Sequence, residues 1–139
     1  MLNNYTMVFG IRFLILLSMF YFHILDDYVL QGILANLKQK EWWQKNAPAA
    51  LYKYDYLCAL AVHGFSWSFS ISIPLLVTYW FFSSANFLAV LCFFIPFNAA
   101  LHAWIDHQKA NTHIICLWTD QLLHALQIIA FWFCGMIFI

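Results

Sequence analysis

Four long apolar stretches dominate this chain and restrict the folds open to it. They lie near residues 8–33, 56–82, 86–108 and 117–139, and each is long enough to cross a bilayer, which takes about 20 helical residues. A backbone in lipid must satisfy its own hydrogen bonds, so each stretch is predicted to be a transmembrane α-helix. Hydrophobic residues make up 65% of the chain and charged residues only 9%. This composition excludes an ordinary soluble protein and predicts an integral membrane protein.

The connections predict how the four helices are arranged. "SSAN" reads as a tight turn, and the connection around "KANTHIICL" is short. Segment 34–55 is longer, basic and rich in Trp and Tyr, as expected of an amphipathic loop that lies along the lipid headgroups. The start of the chain resembles a signal peptide but has no small-residue cleavage site, so we expect a retained first helix. The predicted fold is all-α, an up-down four-helix bundle with residues 1–139 as one transmembrane domain.

The placement of the lysines predicts the orientation of this bundle. All five lysines lie in the loop 34–55 or in the turn after the third helix, at one end of the bundle, and the opposite end carries only Arg12. Positively charged loops favour the cytoplasm. We therefore expect a multi-pass membrane protein whose lysine-rich face is cytoplasmic and whose termini are outside. The bilayer is the expected partner, nucleic acid is not expected, and no feature indicates the oligomeric state. The lysines of the cytoplasmic face are Lys38, Lys40, Lys45, Lys53 and Lys109.

Histidines and aspartates recur along the predicted helices with one spacing. Three helices each carry one histidine and one aspartate four residues apart, which places both side chains on one face of the helix. The fourth helix runs opposite to the first and third and has the reverse order, so every aspartate is nearer the cytoplasm and every histidine one turn deeper. His63 of the second helix matches the depth of the histidines. The pairs are His23 with Asp27, His102 with Asp106, and Asp120 with His124.

These seven residues predict a metal site. A single buried polar residue can simply join two membrane helices, contributing about 0.6–2 kcal/mol. The free energy cost of placing seven ionisable groups at one depth of a bilayer is too high unless the groups share a function. Imidazole and carboxylate suit zinc above all, with manganese or iron as alternatives, and the set is large enough for one or two ions. The predicted metal ligands are His23, Asp27, His63, His102, Asp106, Asp120 and His124.

Carboxylates around one or two metal ions also predict a reaction. Such centres activate water and stabilise the leaving oxygen of a phosphate ester, and a lysine near the membrane surface can hold the phosphate. The predicted catalytic residues are Asp27, Asp106, Asp120 and Lys109. The predicted substrate-binding residues are Gln31, Lys109 and Gln121. The expected substrate is a phospholipid, a polyprenyl phosphate or another phosphate near the membrane.

Other polar residues receive simpler interpretations. Asp26 is interpreted as a solvated charge at a helix end, with a second metal ligand as the alternative, and His107 and His113 are interpreted as exposed. Ser66 and Ser70 share a face with His63 and are interpreted as a packing seam. Three further residues either contact a substrate or flank the membrane: Asn36, Lys38 and Asn111.

Four blocks of the sequence carry a resemblance to a known family. "HILDDYVLQ", "LAVH", "LHAWIDHQKAN" and "WTDQLLHALQI" resemble domain-of-unknown-function family 3307, small bacterial and phage membrane proteins. The resemblance implies a bacterial or phage-encoded protein of the inner membrane and no established reaction. The pattern is also similar to that of small inner-membrane proteins described as metal-dependent hydrolases. The implied motif positions are His23, Asp27, Gln31, His63, His102, Asp106, Lys109, Asp120, Gln121 and His124.

The leading hypothesis is therefore a membrane-embedded metal-dependent hydrolase, a phosphoesterase open to the cytoplasm. One alternative is a metal-ion or proton transporter, since chains of His and Asp also serve in transport. Another is a haem-binding redox protein, because histidines at one depth of a four-helix bundle can ligate haem.

Overall fold

The computed structural model describes residues 4–82 and 85–137 and is all-helical, with no strand in those two ranges. A π-helical turn, Asp26–Leu30, follows the first helix, and a short 3-10 turn, Ala50–Tyr52, precedes the fourth. The α-helices are α1 (Asn4–Leu25), α2 (Leu34–Leu37), α3 (Lys40–Asn46), α4 (Asp55–Phe82), α5 (Ala85–Ala110) and α6 (Leu117–Met136).

Three helical segments are long and apolar enough to cross a membrane: Met7–Leu30, Ala50–Phe81 and Asn86–Ala110. They coincide with the first three predicted spans. The fourth predicted span coincides with α6, which has 20 residues and is not among these three. The last two residues of that span lie outside the described residues, as do Ser83 and Ser84 of the predicted "SSAN" turn.

The four long helices pack around a common interior. Helix α4 contacts α1, α5 and α6, and α6 also contacts α1 and α5. A buried hydrophobic core fills one half of this interior, and a polar cluster fills the other. Short helices α2 and α3 pack against α4 near the polar end. The core residues are Ile15, Met19, Trp67, Ile71, Leu75, Phe87, Leu91, Ile128, Phe131 and Met136.

Helices α4 and α5 lie in close contact at Gly64. A Cβ atom there would lie 2.5 Å from the carbonyl oxygen of Ala99 and 3.1 Å from the Cβ of Ala103. Only a residue without a side chain fits, because a helix backbone cannot move aside as a flexible side chain can. The close approach lies beside His63, so it also brings α4 and α5 together where the polar cluster forms.

Gly64→Ala is expected to destabilise the fold by about 1–3 kcal/mol, the usual cost of an overpacked interior. Gly10→Ala is the matched control, because a Cβ at Gly10 meets nothing within 4 Å and alanine is the better helix former. Thermal unfolding of both variants in detergent measures the difference. Equal melting temperatures for the two variants would contradict the close approach.

The π-helical turn changes which side chains point inward at the end of α1. The backbone N–H of Gln31 donates to the carbonyl oxygen of Asp26 at 3.0 Å, a bond five residues long. Relative to an α-helix this register inserts an extra residue into the turn. Adjacent Asp26 and Asp27 are both buried as a result. Gly32, with φ of +47°, then lets the chain leave the helix in a left-handed conformation that glycine adopts readily.

Candidate metal centre

A buried cluster of histidines and aspartates lies where the π-helical turn, α4, α5 and α6 meet. All seven sequence-predicted ligands belong to it, and none is more than 7% exposed. Several groups of three within it have their ligand atoms within 4.8 Å of one another, close enough to hold a metal ion. The side chains brought together are His23, Asp27, His63, His102, Asp106, Asp120 and His124.

Four atoms of this cluster lie close enough together to be ligands of one metal ion. Nε2 of His63 lies 3.2 Å from Nε2 of His102, 3.2 Å from Oδ1 of Asp27 and 3.5 Å from Oδ2 of Asp106. Nε2 of His102 lies 3.7 Å from the same Asp27 oxygen and 3.8 Å from the same Asp106 oxygen. Ligands about 2.0–2.2 Å from a tetrahedral ion are about 3.3–3.6 Å apart. The five distances are near this range, so the four atoms, called group one below, could hold an ion between them.

A second group of ligand atoms adjoins the first through Asp106. Nε2 of His124 lies 3.4 Å from Oδ1 of Asp106 and 3.4 Å from Oδ1 of Asp120. Among the described residues, neither ring nitrogen of His124 nor this Asp120 oxygen has a hydrogen-bond partner. We call these three atoms group two. Since the two oxygens of Asp106 face different groups, its carboxylate can bridge them.

Asp26 is part of the centre, and its interpretation as a solvated helix-end charge was wrong. Its side chain is fully buried. Oδ1 accepts hydrogen bonds from the hydroxyls of Ser66 at 2.8 Å and Ser70 at 3.0 Å, while Oδ2 lies 3.7 Å from Nδ1 of His63. A carboxylate behind a ligating imidazole orients the ring and raises its basicity. The serines, expected only to pack, hold the carboxylate that faces His63.

His23 lies at the edge of the cluster, and protein groups engage both of its ring nitrogens. The indole N–H of Trp67 donates to Nδ1 at 2.8 Å. A neutral His23 then carries its proton on Nε2, which donates to Oε1 of Gln121 at 3.2 Å. Gln121 in turn donates to Oδ2 of Asp120 at 3.1 Å. His23 is thus placed to orient Asp120 through Gln121, and its role as a ligand stays a prediction.

Two lysines pair with the aspartates of the cluster. Nζ of Lys38 donates to Oδ2 of Asp106 at 2.6 Å, and Nζ of Lys109 donates to Oδ2 of Asp120 at 2.5 Å. Lys38 is buried, whereas Lys109 is half-buried at the edge of the centre. The sequence predicted a role in the site for Lys109. For Lys38 it left two interpretations open, contact with a substrate and a position that flanks the membrane. The contact with Asp106 makes Lys38 a member of the centre.

Asn111 holds the backbone that carries Lys38. Its side-chain amide donates to the carbonyl oxygen of Lys38 at 3.0 Å and accepts from the backbone N–H of Lys40 at 2.6 Å. The turn after α5 is thereby joined to the start of α3. Asn111 therefore positions the buried ammonium group from 73 residues away along the chain.

The other singled-out residues lie near the centre or outside it. The side-chain amide of Gln31 donates to the backbone carbonyl of Asp27, so Gln31 lies beside the centre and engages the helix backbone. His113 is exposed, as expected. His107 is half-buried and stacks on Tyr56, with 5.9 Å between ring centroids. Asn36 is exposed.

Trp67 closes the centre on the side of the hydrophobic core, a role that the sequence analysis missed. Its ring stacks on His102 with 4.1 Å between centroids and is fully buried. Its position four residues after His63 places it on the same helix face, which is the signal that could have identified it. Beyond it lie fully buried Met19, Ile71 and Ile128 and a buried, hydrogen-bonded pair, Gln127 and Asn98. The ionisable cluster thus gives way to an apolar layer that contains a neutral polar pair.

Comparison of the chain with protein-family models, with curated proteins and with solved structures finds no match. The resemblance to domain-of-unknown-function family 3307 therefore stays a prediction. The functional argument rests on the geometry of the centre.

Proposed function

We propose that the chain is a multi-pass membrane protein of a bacterial or phage-encoded type, in which α1, α4, α5 and α6 form an up-down four-helix bundle. The outward faces of these helices support this, because large apolar side chains cover them. Phe9 is 72% exposed, Trp80 80% and Trp118 86%, and lipid is the solvent that makes such exposure favourable. The lysine-rich segment between α1 and α4 favours a cytoplasmic position for the polar end.

The centre is proposed to bind a divalent metal, with zinc favoured over manganese or iron. The observation that carries this proposal is the close spacing of the group one atoms, which include two histidine nitrogens and two carboxylate oxygens. Two imidazole nitrogens 3.2 Å apart, on His63 and His102, need a proton or a cation between them. A mixed set of nitrogen and oxygen ligands suits zinc, and Oδ2 of Asp26, 3.7 Å from Nδ1 of His63, lies where metal sites place an outer carboxylate.

The proposed reaction is hydrolysis of a phosphate ester. A bound divalent ion would supply Lewis acidity at the centre. Lys109 lies at its edge with 31% of its side chain exposed, so its ammonium can attract a phosphate while remaining near Asp120. Trp67 and the apolar layer behind it exclude water from the opposite side. Asp27, Asp106 and Asp120 hold the negative charge that would retain the metal. Gln121 donates to the same Asp120 oxygen as Lys109, and Gln31 stays a predicted substrate contact.

A lipid-linked substrate fits the surroundings of the centre. Helix α3 carries Trp42 and Trp43 beside its lysines, as interfacial helices do. A cavity of about 280 Å³ between α3 and the turn before α4 is lined by residues that include Lys40, Trp43 and Lys53. Cationic and aromatic groups together suit the headgroup region of a phospholipid or polyprenyl phosphate. The substrate would thus reach the centre from the cytoplasmic surface of the bilayer.

The two alternative functions receive less support from the packing. A pathway for ions would need ionisable groups on both sides of the centre, whereas Trp67, Met19 and Ile71 fill the interior beyond it. The polar residues Gln127 and Asn98 on that side are neutral and bond to each other. Haem would need a flat gap between two of the histidines, wide enough for its macrocycle. The rings of His102 and His124 stack with 4.1 Å between centroids, which leaves no room between them for a macrocycle.

The test of this function is metal analysis of protein purified in detergent without added metal, followed by hydrolysis assays on phospholipid and polyprenyl phosphates. We expect at least one divalent ion per chain and phosphate release that a chelator abolishes. Glu41→Gln is the control variant, because the Glu41 side chain is 78% exposed and lies outside the centre. Folded protein that binds no metal even after reconstitution would refute the metalloenzyme proposal.

A further inference from the structure

We infer that the centre takes up a second divalent ion only together with a phosphate dianion, which makes a phosphomonoester its substrate class. The inference rests on the proposed metal site and extends it. It follows from the charges buried in the cluster and from the arrangement of group one and group two around Asp106.

The charges of the cluster balance one divalent ion and no more. Four carboxylates lie in it, on Asp26, Asp27, Asp106 and Asp120. The ammonium groups of two lysines neutralise two of these carboxylates. With neutral imidazoles the net charge is minus two, so one divalent ion makes the cluster neutral. Uncompensated charge is costly in a buried, membrane-embedded site.

The lysines are distributed unequally between the two groups. Lys109 donates to Asp120 of group two, and Lys38 donates to Oδ2 of Asp106, whose carboxylate the two groups share. Asp27 of group one has no lysine contact among the described residues, and neither does Asp26 behind it. The uncompensated negative charge is therefore concentrated on the side of His63, and group one is the site that a first ion fills.

Group two nevertheless has the geometry of a second site. Nε2 of His124 faces one oxygen each of Asp106 and Asp120 at 3.4 Å, and both residues with orphaned atoms, His124 and Asp120, are fully buried. An ion there would share the Asp106 carboxylate with group one, as in centres whose two ions are about 3.5–4 Å apart. With group one occupied, this second ion would leave the cluster with a charge of plus two.

A phosphate with two negative charges restores neutrality, whereas a phosphodiester with one does not. The anion can enter the centre at Lys109, because this lysine is half-exposed and forms an ion pair with Asp120 of group two. Binding of the ion and binding of the anion are then coupled. By linkage, each must strengthen the other by the same factor, and the centre selects monoesters by charge.

The experiment titrates manganese into the full chain in detergent, with and without inorganic phosphate, at one ionic strength set with chloride. Bound ions per chain are counted by elemental analysis, and spin coupling between two manganese ions is read by electron paramagnetic resonance. We expect one ion without phosphate and two coupled ions with it, the second binding at least tenfold more tightly than in chloride alone. Dimethyl phosphate, a diester with one negative charge, should leave the count at one.

Two variants separate this inference from the metal site itself. Asp120→Asn should retain the first ion and lose the second even in phosphate. In Lys109→Met the cluster with one ion keeps a charge of minus one, whereas in the wild type it is neutral, so the variant should take up the second ion without phosphate. One ion under all wild-type conditions, two ions without phosphate, or an equal effect of the diester would each overturn the inference while leaving the first ion in place. Absence of any bound ion would overturn the proposed function as well.

Discussion

Asp27→Asn is expected to weaken binding of the first metal ion by more than 100-fold while the helices remain folded. Oδ1 of Asp27 is one of the four atoms of group one and has no hydrogen-bond partner among the described residues. Asparagine keeps the shape of the side chain but removes the negative charge that helps to hold a divalent ion. No lysine contacts Asp27 in the described part of the chain, so the substitution leaves no ammonium group without its partner.

The neighbouring residue provides the matched comparison. Asp26→Asn alters a carboxylate that faces His63 from behind, and loss of such an outer partner costs about 10–100-fold in metal affinity. Competition against a chromophoric chelator measures the first dissociation constant for both variants and for Glu41→Gln, which should match wild type. Wild-type affinity in Asp27→Asn would remove Asp27 from the ligand set.

Asp106→Asn is expected to destabilise the metal-free protein by about 3–5 kcal/mol, the cost of leaving one partner of a buried ion pair unpaired. The affected partner is Lys38, whose ammonium group is buried and lies 2.6 Å from Asp106. The double variant Lys38→Met with Asp106→Asn removes both charges and should recover most of the loss. Chemical denaturation of the wild type and the three variants gives the coupling energy directly.

The second lysine pair serves as the internal control for this cycle. Lys109 is paired with Asp120 but keeps 31% of its side chain exposed, so water screens its charge and the coupling energy should be smaller. Equal coupling energies for the two pairs, or additive effects of Lys38→Met and Asp106→Asn, would show that burial of Lys38 does not govern the stability of the centre.

Much of the centre could be predicted from the sequence because helical spacing determines which side chains share a face. His102 with Asp106 and Asp120 with His124 are each four residues apart, and the structure brings both pairs into one cluster. The reversed order in α6 predicted that its aspartate would face the aspartate of α5, and Asp106 and Asp120 do meet at His124. Membrane-length helices were predictable from apolar runs alone, because a helix needs about 20 apolar residues to cross a bilayer.

What could not be predicted depends on backbone irregularity and on long-range contacts. Asp26 is buried because the helix changes to a π-helical turn, and a regular period of 3.6 residues places it away from Asp27. Lys38 enters the centre because Asn111 holds its backbone, a contact between residues far apart in sequence. The bond from Trp67 to His23 likewise joins positions 44 residues apart. No local pattern carries such pairings.

The π-helical turn also bears on how long an ion would stay. The ligand residues of group one are buried, and the half-exposed edge of the centre lies beside group two, at Lys109. An ion in group one could therefore leave past group two or through a local opening of the backbone on its own side. The π-helical turn is the segment where such an opening disrupts least packing, since Tyr28, Val29 and Leu30 are each more than half exposed. With group two filled, the turn would be the remaining route, and the first ion would stay long after the surrounding metal supply had changed.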